Sequence, residues 1–138
     1  MPAYKTGAAA LFILGLVPSP LLAQGTPNCN EPRTQMEMNI CAGQEYRAAD
    51  AELNKVYKAV IAQMKDMDSG LPPELKGAEK TLRKAQRAWI PYRDMACETY
   101  GFQARGGTME RMLVAECLGK MTRRRTKDLK DVAGGVAN

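Results

Sequence analysis

The sequence predicts an all-α domain: a small antiparallel bundle of three helices running up, down and up, the second kinked, stapled by two disulfides. Three observations predict it. Apolar residues recur at spacings of three and four over three long stretches. No stretch alternates polar with apolar residues as a half-buried strand would. Turn-forming Gly, Pro, Asp and Ser cluster between those stretches, at residues 66–73 and 101–107. The chain has 138 residues, enough for one domain, and no internal repeat suggests a stacked architecture.

The chain opens with a single charge, Lys5, an apolar run over residues 8–17, and then Pro18-Ser19-Pro20 and Leu21-Leu22-Ala23 before Gln24. That order is expected of a secretory signal peptide, residues 1–23, cleaved after Ala23. Its apolar run is about half the ~20 residues that a bilayer-spanning helix needs, so an integral membrane protein is not expected. The segment holds one Lys and no acid, so the exported product, periplasmic or secreted, stays mildly basic.

Residues 24–33, with Pro27 and Pro32, form an irregular lead-in that carries Cys29. The first helix starts at Thr34, where Thr34-Gln35-Met36-Glu37 has the form of a capping box. Met38, Cys41, Glu45, Ala48, Ala49, Leu53, Val56, Tyr57, Val60 and Met64 then mark one side of a helix of about 30 residues. It is expected to stop near Asp66-Met67-Asp68-Ser69-Gly70. The second helix is expected from about Glu74 to Tyr100, with Pro73 in its first turn and Leu75, Ala78, Leu82, Ala85, Trp89, Tyr92, Arg93, Ala96 and Cys97 along one side. Pro91 lacks the amide donor and should kink that helix at a cost of about 3 kcal/mol. Thr108 can cap the third helix, which carries Met112, Leu113, Cys117, Met121, Arg125 and Leu129, and a frayed tail is expected over residues 132–138. The helical domain is thus expected over residues 24–131.

Four cysteines in a short exported chain argue for two disulfides, and no CxxC pair suggests redox exchange or a zinc ribbon. Depth along a bundle, at ~1.5 Å per residue, places all four toward one end, with Cys97 shallower than Cys41 and Cys117 deepest. Nested pairing, Cys29 with Cys97 and Cys41 with Cys117, is preferred on that count. Cys41 with Cys97 fits nearly as well by depth, and all three pairings that four cysteines allow stay open. Each bond closes a loop worth roughly 3 to 4.5 kcal/mol in the chain-entropy model.

The absence of histidine removes imidazole-based triads, HExxH and Cys2His2 zinc sites and ordinary haem ligation. No two carboxylates are singled out as a general acid and base. Glu45, Asp50 and Glu52 read as a solvated helix face. Arg105-Gly106-Gly107 is too short for a phosphate loop and reads as a turn, and Ser69 has no base beside it. No catalytic residue, metal site or cofactor is expected. The nine methionines fall at helical spacing and read as core filling rather than a thioether copper site.

Trp89, the only tryptophan, lies on the apolar stripe and reads as a core anchor rather than a contact residue. Arg93 and Asp94 are neighbours that should point in different directions, so an ion pair from Arg93 to the first helix is expected instead. Asp50 and Asn54 should form a polar network with Gln86 and Arg87 between the first two helices. The run Arg123-Arg124-Arg125, with Lys120, Lys127 and Lys130, winds around the third helix; in an exported protein it suggests anionic envelope polymers, not nucleic acid.

Cys29, Thr34, Met38, Cys41, Tyr46, Ala49-Asp50, Leu53-Asn54 and Tyr57 resemble the opening motif of the lysozyme inhibitor LprI-like N-terminal domain family, also called DUF1311. Gln86, Trp89, Tyr92-Arg93-Asp94 and Cys97 are similar to its central signature, and Cys117, Thr122, Arg125 and Leu129 to its closing one. The resemblance covers nearly all of the chain after residue 23. It implies a disulfide-linked helical domain of the bacterial envelope that binds a partner without catalysis, lysozyme being the partner for members that carry the name. Lipoprotein members have a lipidated cysteine; here Cys29 follows Pro27-Asn28, which implies a freely diffusing form. An inhibitor would occlude a muramidase cleft by its helical surface. The common animal lysozymes are basic, so only a local acidic patch on the first helix, Glu45, Asp50, Glu52 and Asp66 to Asp68, could steer a basic inhibitor to them.

Overall fold

A computed structural model describes residues 26–135. The expected signal peptide and residues 136–138 lie outside the described residues. Three helices fill the described chain: α1 (Gln35–Ser69), α2 (Ala78–Gly101) and α3 (Glu110–Gly134), with short 3-10 turns at Pro73–Leu75 and Phe102–Ala104. Among the described residues there is no strand, and the up-down-up arrangement is as the sequence predicts.

The capping box forms as expected. Thr34 accepts from the Glu37 amide, while the Glu37 carboxylate accepts from the Thr34 and Arg33 amides. From there α1 runs 35 residues, about 52 Å. Nothing inside it but Gly43 interrupts helix propensity before the C-cap at Gly70.

The second helix begins later than the sequence suggests. Pro73 starts a 3-10 turn, and Gly77, at φ 146°, breaks the path before α2 opens at Ala78. Gly77 has no side chain to cap the new helix, and Asp68 does so from the end of α1. Its carboxylate accepts from the amides of Gly77, Ala78 and Glu79 at 2.9 to 3.1 Å. Three such bonds hold the Asp68 carboxyl below its ordinary range. Helix α2 contains Pro91 and is kinked, as expected.

Thr108 does not cap α3. Met109 is the N-cap residue, with no side-chain bond, and the Thr108 carbonyl instead accepts from Asn39 Nδ2 on α1. Helix α3 continues through Val132 and Ala133, which the sequence places in a frayed tail, and ends before Gly135 at φ 71°.

The preferred disulfide pairing is corrected. The bonds are Cys29–Cys41 and Cys97–Cys117, each with Cα atoms 5.4 Å apart. Cys97 lies four residues before the end of α2 and Cys117 seven after the start of α3, so the two differ by only about 4.5 Å along the bundle axis, too little for depth to choose among the pairings. Cys29 lies on the lead-in, which folds back on the start of α1 and reaches Cys41 locally.

The apolar core occupies the half of the bundle near the first turn: Leu53, Val60, Ile61, Met64, Leu82 and Leu129, with Val56, Tyr57, Ala78, Trp89 and Ala133 packed against them. The other half is closed by the disulfides and by a close approach of α1 to α3 at Gly119. A Cβ on Gly119 would lie 3.6 Å from the Tyr46 Cα.

Candidate functional site

The family-motif residues converge on one side chain. Arg93, 6% exposed, reaches all three helices from the middle of α2. Its Nε and Nη2 bind Asp94 Oδ1 at 2.8 Å, and its Nη1 lies 3.3 Å from Asp50 Oδ1 on α1 and 3.2 Å from Thr122 Oγ1 on α3. The guanidinium carbon sits 5.1 Å from the Trp89 ring centre and 5.4 Å from that of Tyr46, so two aromatic faces flank the cation. Burial pulls the guanidinium pKa down, but Asp94, Tyr46 and Asp50 outweigh it and the group ends above its ordinary value. Burial also raises the Tyr46 hydroxyl, aided by the charges of Asp50 and Asp94 against that of Arg93.

A second layer surrounds this one. Asn54 donates to Asp50 Oδ2 at 3.0 Å, buried Gln86 accepts from Arg125 Nε at 3.1 Å, and Arg125 lies over the outer part of Trp89. The Thr122 side chain is fully enclosed, and its carbonyl accepts from the hydroxyl of buried Thr126. Among the described residues no buried side-chain nitrogen or oxygen lacks a partner. Each charge in the cluster is matched at the cluster itself, so its chemistry is that of a clasp between helices.

Several expectations change here. Arg93 does pair with its neighbour Asp94, because the long guanidinium stem lets Nε turn back toward the adjacent carboxylate; it also makes the expected pair with α1 through Asp50. Gln86 joins α3 rather than α1, and Arg87 is exposed and outside the network. Trp89 is half-buried against the core, whereas Tyr92 is 64% exposed. Leu53 is core and Tyr57 packs against it. The sequence reading did not single out Tyr46 as a stacking partner or Thr122 as an enclosed one. Their signal is small or amphipathic residues facing each other at the point where Gly119 lets α1 and α3 meet.

The acidic patch expected on the first helix is neutralised in part from within the protein: Asp68 is taken up by the amides that open α2, and Asp66 stays exposed with no ion pair among the described residues. Glu45 faces Arg123, Asp50 faces Arg93, and Glu52 accepts from Lys130 at 3.0 Å. The basic run of the third helix is split by the same contacts. Arg123 turns to Glu45, Arg125 lies against Trp89 and Gln86, and Arg124 remains exposed. Met64 is buried and Met112 and Met121 are half-buried, but Met36, Met67, Met95 and Met109 are exposed, so core filling accounts for part of the set.

Two of the surface hollows border the residues of the Arg93 cluster. An open trough of about 590 Å³ lies between α2 and α3 beside the first turn, floored by Leu82 and Leu129, with Lys76 and Arg125 among its lining. A smaller, more enclosed one of about 280 Å³ lies beside Trp89 and Tyr92, with Arg124 and Asp128. Among the described residues no cluster of acids and cysteines is placed to hold a metal ion, and no helix is long and apolar enough to cross a membrane.

The chain has relatives among known sequences. A protein of Rhizobium meliloti (strain 1021), itself uncharacterized, is 49% identical over 97% of this chain and 99% of its own length. The uncharacterized protein YecT of Escherichia coli (strain K12) is 36% identical over 59 residues, 42% of this chain and 36% of its own length. No solved structure matches. The family model for lysozyme inhibitor LprI matches residues 28–129, from the residue before the first cysteine to the enclosed Leu129 of α3, and the chain belongs to that family.

Proposed function

We propose that this protein is an exported, non-catalytic binding protein that inhibits a muramidase by covering its substrate cleft with a rigid helical surface. The observation that carries the reading is the match of the lysozyme inhibitor LprI family model to the whole three-helix unit, disulfides included. Two disulfides and the Arg93 clasp support it physically, because a preorganised surface loses less ordering entropy when it docks. The disulfides also fit an oxidising compartment, as the expected signal peptide requires. Because Glu45, Asp50 and Glu52 are paired internally, α1 offers little long-range attraction to a basic lysozyme beyond the exposed Asp66. Affinity would rest on short-range packing, with a modest salt dependence.

The experiment is a cell-wall lysis assay in which basic and acidic muramidases are each titrated with the oxidised protein at low and physiological salt. Inhibition that survives physiological salt supports the reading, and its absence for every muramidase at large molar excess removes it.

One observation favours a second reading, an envelope adaptor that binds anionic surface polymers. Lys55, Lys58, Lys65, Lys80, Lys84 and Arg87 are exposed around the half of the bundle that holds the apolar core, with no ion pair to the described acids. Polymer binding through them would weaken steeply with ionic strength, in contrast to inhibition by packing.

A further inference from the structure

The outward face of α2 carries a pattern that the monomer does not use. Lys84, Ala88, Pro91, Met95 and Glu98 are spaced four, three, four and three residues apart, so they share one stripe, and all five are exposed. The stripe sets the apolar Ala88, Pro91 and Met95 at its centre and one charge of each sign, Lys84 and Glu98, at its two ends. Within it Met95 is 66% exposed, and on its flanks Tyr92 is 64% and Ile90 40% exposed. The positions turned inward, Leu82, Gln86, Arg93 and Cys97, lie on the other side of the same helix and are fully occupied.

The charges on this face are arranged against the interests of the isolated helix. Lys80 and Lys84 stand one turn apart near its N-terminal end, with Arg87 a further turn on, while Asp94 and Glu98 stand one turn apart near its C-terminal end. Like charges at that spacing repel. Cations at the start and anions at the end also oppose the helix dipole. Lys84 and Glu98 take part in no ion pair among the described residues. A face optimised only for solubility would reverse this order or mix the signs.

We infer that this stripe is a self-association surface, on which two copies of the chain pack their α2 helices antiparallel about a two-fold axis passing through Pro91. Lys84 and Glu98 are each seven residues from Pro91, about 10 Å along the helix. The two-fold therefore sets Lys84 of one copy opposite Glu98 of the other, twice, and brings Arg87 opposite Asp94, which keeps half its surface open. Ala88 and Pro91 leave room at the crossing point for the exposed Met95 and Tyr92 side chains. Self-complementarity of this kind is what an isologous dimer interface needs, and it names a second copy of this chain as the occupant. One helix face is smaller than the ~800 Å² per partner of a standard interface, so the dimer is a weak, concentration-dependent one.

Sedimentation velocity over a concentration series tests this with the oxidised, purified protein and three variants. Lys84→Glu and Glu98→Lys each place like charges across the two-fold at two points, and each should raise the dimer dissociation constant by roughly tenfold or more. The double variant Lys84→Glu/Glu98→Lys restores opposite signs and should return it to near the starting value. Lys84→Glu also relieves repulsion with Lys80, so the monomer should unfold no more easily than before; lost association therefore cannot be blamed on the fold. A protein that stays monomeric to several hundred micromolar overturns the inference. So does a dimer indifferent to the single reversals, or one that the double variant fails to restore.

Discussion

Arg93→Ala removes a side chain on α2 that bonds to both α1 and α3, and its cost can be worked from the contacts it breaks. The carboxylates of Asp50 and Asp94 keep 39% and 51% of their side-chain surface exposed, so each ion pair counts at the screened value, about 0.5–1 kcal/mol. The bond to Thr122 is enclosed and adds about 1 kcal/mol. The two flanking rings add about 0.5 kcal/mol each. The substitution should therefore destabilise the oxidised protein by about 3 kcal/mol, a large share of the stability of a small domain. Urea unfolding followed by fluorescence of Trp89, the only tryptophan, reads this as a lower midpoint with an unchanged slope. Arg93→Lys keeps the charge and most of the stem but cannot fork toward Asp94, Asp50 and Thr122 together, and should cost about half as much. A loss below about 1 kcal/mol for Arg93→Ala, or equal losses for Ala and Lys, would refute the clasp as the joint of the bundle.

Peptide mapping of the intact protein should recover Cys29–Cys41 and Cys97–Cys117. Mild reductant should open the first before the second, because Cys29 is exposed whereas Cys97 has no exposed surface. Backbone amides hold the carboxyls of Glu37, Asp68 and Glu110 below their ordinary values. Their contribution is therefore complete above the ordinary carboxylate range, about pH 4, and is lost as pH falls through the lower folded values. Thermal unfolding should be insensitive to pH above that range and weaken below it, and Asp68→Asn should flatten that acid limb. Gly101→Ala would place a Cβ 2.5 Å from Val114 Cγ2 and should cost about 1–3 kcal/mol by overpacking the start of the α2–α3 turn. Thermal unfolding of that variant checks it.

What could be read from the sequence was local. The capping box at Thr34 and Glu37 and the long stripe of α1 follow from spacings of three and four, and both form. The later start of α2 was hidden because its cap, Asp68, comes from nine residues before Gly77. A search limited to adjacent residues takes Pro73 as the first turn. The cysteine pairing failed for a related reason. Cys97 and Cys117 lie equally far on either side of Gly107, a symmetry that points to a hairpin staple, but only once the turn is known to end at Met109. Charge pairing was the least legible. That α1 acids are met by α3 bases depends on the parallel register of two helices separated by all of α2. The sequence predicts a pair from Arg93 to the first helix but not which acid meets it; the choice of Asp50 and the flanking by Tyr46 and Trp89 need all three helices in place.

Inhibition, on the reading proposed above, comes from a rigid, disulfide-stapled helical surface that occupies the muramidase. Its most direct test is a stoichiometric titration of muramidase activity with the oxidised protein, beside the same protein reduced and alkylated. Activity should fall linearly to a break at a fixed molar ratio with the oxidised protein and remain untouched with the reduced one. Full lysis at every ratio, or equal inhibition by the reduced chain, would contradict it.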